Sequence, residues 1–203
     1  MAGETKGTGI WIGIGVLWVI CLVVGHRAML AYDYSAGAEG VAPASWPAAA
    51  TIQRTDGMAE ILVFAHPKCP CTRATIEELA ELMVQVQGQA VATVVFVRPE
   101  GVPKDWEKTD IWRSAARIPG VTTVNDPQGI EASRFGAMAS GQTLLYGSDG
   151  TLRFSGGITA FRGHIGDNAG RTAIASLITT GHAKTNHTSV YGCSLKNPER
   201  AEK

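Results

Sequence analysis

The longest apolar stretch of the chain lies near its N-terminus. Eighteen consecutive residues, Thr8 to Gly25, carry no charged side chain. At a rise of about 1.5 Å per residue, a helix of this length spans about 27 Å, close to the hydrocarbon thickness of a bilayer. Ala28 to Tyr32 can extend the helix while Arg27 snorkels towards the interface. The pattern predicts a transmembrane anchor in contact with membrane lipid over residues 8–32, after an N-terminal tail of residues 1–7.

Beyond residue 50 the apolar positions switch between strand and helix spacing. Ile61 to Phe64 is a short apolar run, and behind it apolar residues recur every three or four positions, at Ile76, Leu79, Met83 and Val86. This spacing is typical of an amphipathic helix. Val91 to Val97 is a nearly unbroken apolar run rich in β-branched residues, as expected for a strand covered on both faces. Strand, helix and strand in this order predict a βαβ unit with a parallel strand pair.

The following segments continue the alternation of helices and strands. They predict a helix around 106–118, a strand at 121–124, a short helix at 130–135, a hairpin formed by 142–146 and 151–154, and a last helix that begins at an Asp167 N-cap and ends at Gly181. The predicted fold class is α/β, with a central mixed sheet flanked by helices over residues 51–181.

Two segments outside this domain lack any periodic pattern. Residues 33–50 are rich in Ala, Gly, Pro and Ser and carry almost no charge, which predicts a flexible linker. Residues 182–203 are mostly polar and predict a mobile C-terminal tail, although the Val190–Cys193 stretch could dock on the domain.

The charge balance argues against nucleic-acid binding, and the N-terminal apolar span argues for a membrane protein. The chain of 203 residues has 18 basic and 18 acidic side chains, so it offers no excess of positive charge for nucleic acid. A cleaved signal peptide is the alternative to an anchor, but Gly25-His26-Arg27 is a poor cleavage site. A single N-terminal anchor ahead of one globular domain predicts a single-pass protein of the bacterial inner membrane, with the domain in the periplasm.

The four cysteines fall into different contexts. Cys21 lies in the apolar span as a small apolar residue, and Cys193 lies in the polar tail without an assigned role. Cys69 and Cys71 flank Pro70 directly behind the first strand of the domain. Proline is favoured in the first turn of a helix, so the helix is expected to begin here with a thiol on either side of it. The backbone N–H groups at a helix N-terminus stabilise a thiolate, which favours a reactive or metal-binding pair.

The order of elements around this cysteine pair resembles the thioredoxin-like superfamily over residues 51–181. The segment from Asp126 to Thr151 is similar to the membrane-tethered periplasmic branch used in cytochrome maturation. Phe154 to Thr159 together with Arg162 to His164 resembles a group of membrane-anchored bacterial proteins labelled RedB-like. The resemblance implies thiol–disulfide exchange outside the cytoplasm.

This sequence departs from the family pattern at two points. Thioredoxins carry Cys-x-x-Cys, whereas here the alignment puts Lys68 at the position of the attacking cysteine and leaves Cys69 between it and Pro70. The family's cis-proline falls at Gln142, before Thr143. A disulfide across a single residue closes a small, strained ring, so a Cys69–Cys71 disulfide is expected to be more oxidising than a structural one.

Three hypotheses follow for the site. In the first, Cys69 and Cys71 exchange disulfides with a protein thiol or disulfide partner, without a cofactor, and the positive charges of Lys68 and His66 lower the thiolate pKa. In the second, the domain is a non-catalytic accessory subunit of a membrane protein complex, where the glycines and tryptophans of the span serve helix packing.

The third hypothesis is metal binding. The spacing His66-x-x-Cys69-x-Cys71, with His164 as a distant fourth ligand, suits copper(I) or zinc. Copper-delivering Sco-type proteins use a dithiol and a remote histidine on this same fold. No second cysteine pair supports the site.

Overall fold

The computed structural model describes residues 4–195, with side chains from residue 9 onward. Its elements in chain order are α1 (Glu4–Asp33), β1 (Ala59–Ala65), α2 (Pro70–Gln85), β2 (Ala90–Arg98), α3 (Asp110–Ala115), β3 (Val121–Pro127), α4 (Ile130–Arg134), β4 (Gln142–Tyr146), β5 (Leu152–Gly156) and α5 (Ala169–Thr180). The chain divides into two compact units, Met1–Ser35 and Ala36–Lys203.

The first unit is the single helix α1. Its segment Gly9–Asp33 is long and apolar enough to cross a membrane, and none of it is buried in the protein. By length and composition α1 is therefore a candidate membrane span. The helix begins at Glu4, so part of the predicted N-terminal tail is helical, and residues 1–3 lie outside the described part of the chain.

The second unit is built on a five-stranded mixed sheet with the order β3-β2-β1-β4-β5. Strands β1, β2 and β3 are parallel, while β4 runs antiparallel to both β1 and β5. The central pair β1 and β2 is buried along almost its whole length, as its unbroken apolar sequence predicts. A mixed sheet of this order, with helices on both faces, is the thioredoxin-like fold. The predicted fold class is confirmed.

The sheet separates two hydrophobic cores because successive side chains of a strand point to opposite faces. Ile61 and Val63 of β1 pack in one core with α2, α3 and α5. Leu62 and Phe64 pack in the other with α4 and the ring of Phe135. Helix α2 follows β1 at the site described below. Because β1 is packed in both cores, the point at which α2 begins is fixed as well.

Two helix boundaries differ from the sequence prediction. The helix expected over 106–118 is confined to Asp110–Ala115, because the residues before it form a loop of turns that closes on Thr109. Helix α5 is capped by Asn168 rather than Asp167: the Asn168 side chain accepts a hydrogen bond from the Arg171 N–H at 2.7 Å. Asp167 is exposed one residue earlier and reaches Arg171 only through an ion pair at 3.7 Å.

The second half of the predicted linker contacts the domain. Trp46 inserts its ring between Phe135 and Tyr146 at centroid distances of 5.0 and 5.2 Å. The Trp46 N–H donates to the Gly150 carbonyl at 2.9 Å, and the Leu152 N–H donates to the Ala44 carbonyl at 2.9 Å. One large aromatic side chain and pairing with the edge of β5 therefore hold this segment on the domain.

The described part of the predicted tail contacts the domain, including the Val190–Cys193 stretch. Residues 185–195, named here the C-terminal strap, lie along the end of β5 and the loop before β4, with bridges between Ser155 and His187 and between Ala139 and Ser194. Val190 and Leu195 are almost fully buried. The rest of the predicted tail, residues 196–203, lies outside the described residues.

Candidate functional site

The site is the turn between β1 and α2. Pro70 occupies the first turn of α2, as its sequence position predicts, and Cys69 is the N-cap with an extended backbone. The Cys69 N–H donates to the His66 carbonyl at 3.1 Å, and the Thr72 N–H donates to the Cys69 carbonyl at 3.1 Å. This geometry directs the Cys69 side chain to the N-terminus of a 16-residue helix.

The strap brings a third cysteine to this turn. The Sγ atoms of Cys69 and Cys193 are 3.1 Å apart, although 124 positions separate them in the sequence. The Ser140 N–H donates to the Cys193 carbonyl at 2.8 Å, and the Ser140 hydroxyl lies 2.6 Å from the Thr72 hydroxyl. Ser140 therefore connects the strap to the first turn of α2. All three cysteines at the site are free thiols.

Hydrogen bonds favour the ionised form of Cys69. Its side chain is buried, which raises the pKa, but hydrogen bonds from the side chain and backbone of Cys193 and from those of Thr72 outweigh burial and lower the pKa below its ordinary value. A thiolate away from water needs such donors because burial removes the stabilisation that water provides. The negative charge of the site therefore belongs on Cys69.

The other two thiols keep their protons. Burial and the charge of Cys69 raise the pKa of Cys71, against a hydrogen bond from Arg162. Burial, the hydrogen bond that Cys193 donates to Cys69 and the charges of Cys69 and Cys71 raise the pKa of Cys193 to about 12. Cys69 is therefore the best nucleophile of the three for thiol–disulfide exchange, since the thiolate is the attacking form.

Lys68 and His66 both contact the ring of Trp106. The Lys68 ammonium lies over the Trp106 ring, 4.6 Å from its centroid, and the His66 ring contacts the same indole edge-on at 5.6 Å. The groups that lower the Cys69 pKa are Cys193 and Thr72. The lysine charge is therefore held against an aromatic face.

This arrangement predicts a contrast between two substitutions. Lys68→Met should change the rate at which Cys69 is alkylated at neutral pH by less than about twofold, because an exposed charge away from the sulfur is screened by water. Thr72→Val should lower that rate by about threefold to tenfold, because it removes a hydrogen bond to the thiolate and raises the pKa of Cys69. Iodoacetamide labelling across a pH series, read by mass spectrometry of the Cys69 peptide, measures both. A larger effect from Lys68 than from Thr72 would contradict this assignment.

The four residues of the metal hypothesis are not brought together. His164 stacks on Phe161 at 4.2 Å, and His66 accepts the Lys68 N–H at its Nδ1 atom at 3.3 Å. Within residues 4–195 no group of three or more His, Cys, Asp or Glu side chains is arranged to hold a metal ion.

Sequence reasoning missed Arg162 and Cys193 as site residues. Arg162 belongs to a loop whose position depends on Glu78 of α2, which accepts the Gly166 N–H and the Asn168 amide. The signal for Cys193 was the short stretch of less polar residues around it in an otherwise polar tail. Gln142, at the family's cis-proline position, is buried and accepts the Met138 N–H at 3.1 Å.

No family model and no curated protein matches this sequence. Among solved structures, an uncharacterized conserved protein from Geobacillus kaustophilus is 16% identical with a TM-score of 0.58, over 83% of this chain and 95% of that one. A hypothetical protein from Sinorhizobium meliloti 1021 is 17% identical with a TM-score of 0.59, over 82% of this chain and 97% of that one. These two similarities show a shared fold and nothing about activity.

The exposed lipoprotein thioredoxin of Streptococcus pneumoniae is 16% identical, over 61% of this chain and 84% of that one. Its TM-score is 0.45.

Proposed function

We propose that this protein is a membrane-anchored thiol–disulfide oxidoreductase whose attacking group is the Cys69 thiolate. The observation that carries the proposal is the position of the Cys69 sulfur, at the start of α2 and 3.1 Å from the sulfur of a second thiol, Cys193. Cys193 and Thr72 also lower the pKa of Cys69. A buried cysteine of purely structural value is an apolar filler and needs no such donors. A thiolate next to a second thiol can instead attack a disulfide and then be resolved.

The proposed place of action is the periplasmic side of the bacterial inner membrane, as in the RedB-like proteins that the sequence resembles. Helix α1 supports the anchor, since its segment Gly9–Asp33 would span about 37 Å at helical rise, enough to cross the hydrocarbon core with some tilt. A compartment that maintains disulfides also suits exchange chemistry. The proposed partner is a protein thiol or disulfide, and no cofactor takes part.

The first test is a redox titration of the full chain in detergent micelles. We expect one two-electron couple in the domain with a potential above that of thioredoxin, about −270 mV. Cys69→Ser should abolish the couple, whereas Cys21→Ala, within α1, should leave it intact. Absence of a couple would favour the accessory-subunit hypothesis, and thiols that react only after a chelator is added would favour copper or zinc binding. A couple that survives in Cys69→Ser would refute the role of Cys69.

The second test concerns topology. A reporter active only in the cytoplasm, fused after Leu195, should be silent, and a reporter active only in the periplasm should work at the same position. The protein should also remain in the membrane fraction after alkaline carbonate washing, because a lipid-embedded helix is held by its apolar surface rather than by charge. Cytoplasmic reporter activity at this fusion point would rule out the proposed orientation.

A further inference from the structure

The strap holds Cys193 by contacts on both sides of it in the sequence. On one side, Val190 is buried and the Thr188 hydroxyl donates to the Gly157 carbonyl at 2.7 Å. On the other, Leu195 is buried and its N–H donates to the Met138 carbonyl at 2.9 Å. Gly192 itself presses against Ser140, with its ideal Cβ position 1.8 Å from the Ser140 carbonyl oxygen. The position of Cys193 is therefore fixed by the fold.

The distance between the two sulfurs suits a reversible bond. A disulfide has an S–S length of about 2.05 Å, so the observed 3.1 Å leaves about 1 Å of approach for bond formation. Cys71, in contrast, lies one residue beyond Pro70 in the first turn of α2, where a bond to Cys69 would close a strained ring.

The three cysteine residues differ in exposure, and therefore in how easily a partner thiol can reach them. Cys69 is 2% exposed and Cys71 is 6% exposed, whereas Cys193 is half-buried. A thiol from a partner protein can attack only a sulfur it can reach. Cys193 is therefore the most exposed of the three cysteine residues.

Building on the function proposed above, we propose that the redox disulfide joins Cys69 to Cys193 and that partner protein thiols enter at the Cys193 sulfur. A partner thiolate attacks Cys193 Sγ, which forms a mixed disulfide and breaks the Cys69–Cys193 bond, with Cys69 leaving as the thiolate. The second thiol of the partner loses its proton and attacks the partner sulfur of the mixed disulfide. It forms the partner's disulfide and releases Cys193, which takes up a proton. The partner dithiol is oxidised by two electrons and the protein disulfide is reduced.

The leaving group supports this direction of attack. A disulfide breaks faster towards the sulfur that better carries the negative charge. Cys69 is the N-cap of a 16-residue helix, and its pKa is lowered while that of Cys193 is raised, so Cys69 carries the charge better than Cys193. Accessibility and leaving-group stability therefore both select Cys193 as the sulfur that the partner attacks. In the reverse sequence the deprotonated Cys193 attacks a partner disulfide and releases one partner thiolate. The Cys69 thiolate then attacks Cys193 Sγ, displaces the second partner thiolate and regenerates the oxidised protein.

The bond assignment is tested by oxidising the full chain with diamide in a Cys21→Ala background and mapping peptides without reduction. The Cys69–Cys193 cross-linked peptide should form in the parent and in Cys71→Ser, and Cys193→Ser should slow loss of the Cys69 thiol at least about tenfold. If Cys193→Ser keeps the couple through Cys69–Cys71 while Cys71→Ser loses it, the proposed function stands and this inference fails. Retention of the couple in Cys69→Ser would refute the proposed function itself.

The entry point is tested on oxidised Cys21→Ala/Cys71→Ser protein treated briefly with reduced glutathione, quenched with acid and labelled with N-ethylmaleimide. We expect glutathione on Cys193 and maleimide on Cys69, in about tenfold excess over the opposite pattern. Glutathione mainly on Cys69, or equally on both cysteines, would overturn the assignment of Cys193 as the sulfur that partner thiols attack. The assignment of the Cys69–Cys193 bond is decided separately, by the peptide mapping described above.

Discussion

Replacing Glu78 with glutamine should lower the free energy of unfolding by about 3 kcal/mol. The Glu78 side chain is fully buried and its Oε2 atom forms an ion pair with Arg171 at 3.0 Å, while Arg171 is only 13% exposed. The same oxygen accepts the Asn168 amide at 2.8 Å, and Oε1 accepts the Gly166 N–H. Replacing Glu78 leaves Arg171 with only longer ion pairs, to Asp167 at 3.7 Å and to Glu81 at 3.9 Å, and both of these carboxylates are exposed. Removing the buried partner therefore costs more than the pair contributes.

The measurement is denaturant unfolding of the full chain in detergent, followed by tryptophan fluorescence. Glu77→Gln is the matched control, because Glu77 precedes Glu78 on the same helix but is exposed, so we expect a change within about 0.5 kcal/mol. Because Glu78 also holds the loop that carries Arg162, its replacement should weaken the hydrogen bond to Cys71 and raise the pKa of that thiol further. Equal changes from both variants would show that the buried pair does not stabilise this region.

The elements with strong periodicity were predictable from the sequence. Ile61–Phe64 and Val91–Val97 fill both cores, so their apolar runs are unbroken and identify a central parallel pair. Pro70 marked the start of α2 because proline tolerates only a few helix positions. These are local signals, and each depends on residues that are close in sequence.

The boundaries and the strap depended on contacts that local patterns do not encode. Asp167 and Asn168 are both good N-cap residues, and only the hydrogen bonds of Asn168 to Glu78 and Arg171 decide between them. The segment around Trp46 is rich in alanine and proline apart from one aromatic ring, which is a composition typical of a linker. Only its contacts with Phe135 and Tyr146 place it on the domain. Tertiary packing therefore overrode the composition of these segments.

The candidate site was predictable only in part for the same reason. The Cys-Pro-Cys sequence located Cys69, but its hydrogen-bonding thiol lies 124 residues away on a segment without helix or strand periodicity. The strap is held by backbone hydrogen bonds, two buried side chains and close contacts at several glycines, none of which leaves a repeating pattern. The resemblance to thioredoxins also directed attention to Lys68, whose charge the structure pairs with Trp106.

Replacing Gly192 with alanine should release the strap and separate Cys193 from Cys69. A Cβ atom at Gly192 would lie 1.8 Å from the Ser140 carbonyl oxygen and 2.8 Å from its carbonyl carbon, and backbone atoms at that position cannot turn away as a side chain can. Displacement would expose Val190 and Leu195, which are 1% and 2% exposed in the docked strap. Burial of one such side chain contributes about 1.5–3 kcal/mol, so the domain should lose about 3 kcal/mol of stability.

The chemical consequence should be larger than the loss of stability. Without a fixed strap, the Cys69–Cys193 disulfide must form by chance encounters of a tethered thiol, so its rate under diamide should fall at least about tenfold. The Cys69 thiolate also loses the donor that Cys193 provides, which should raise the pKa of Cys69 and slow its alkylation at neutral pH. Ser189→Ala is the control, because this exposed side chain lies on the same strap and its removal creates no clash. Gly192→Ala with an undiminished rate of cross-linking, in protein with parental circular dichroism, would show that the docked strap does not bring the two sulfurs together.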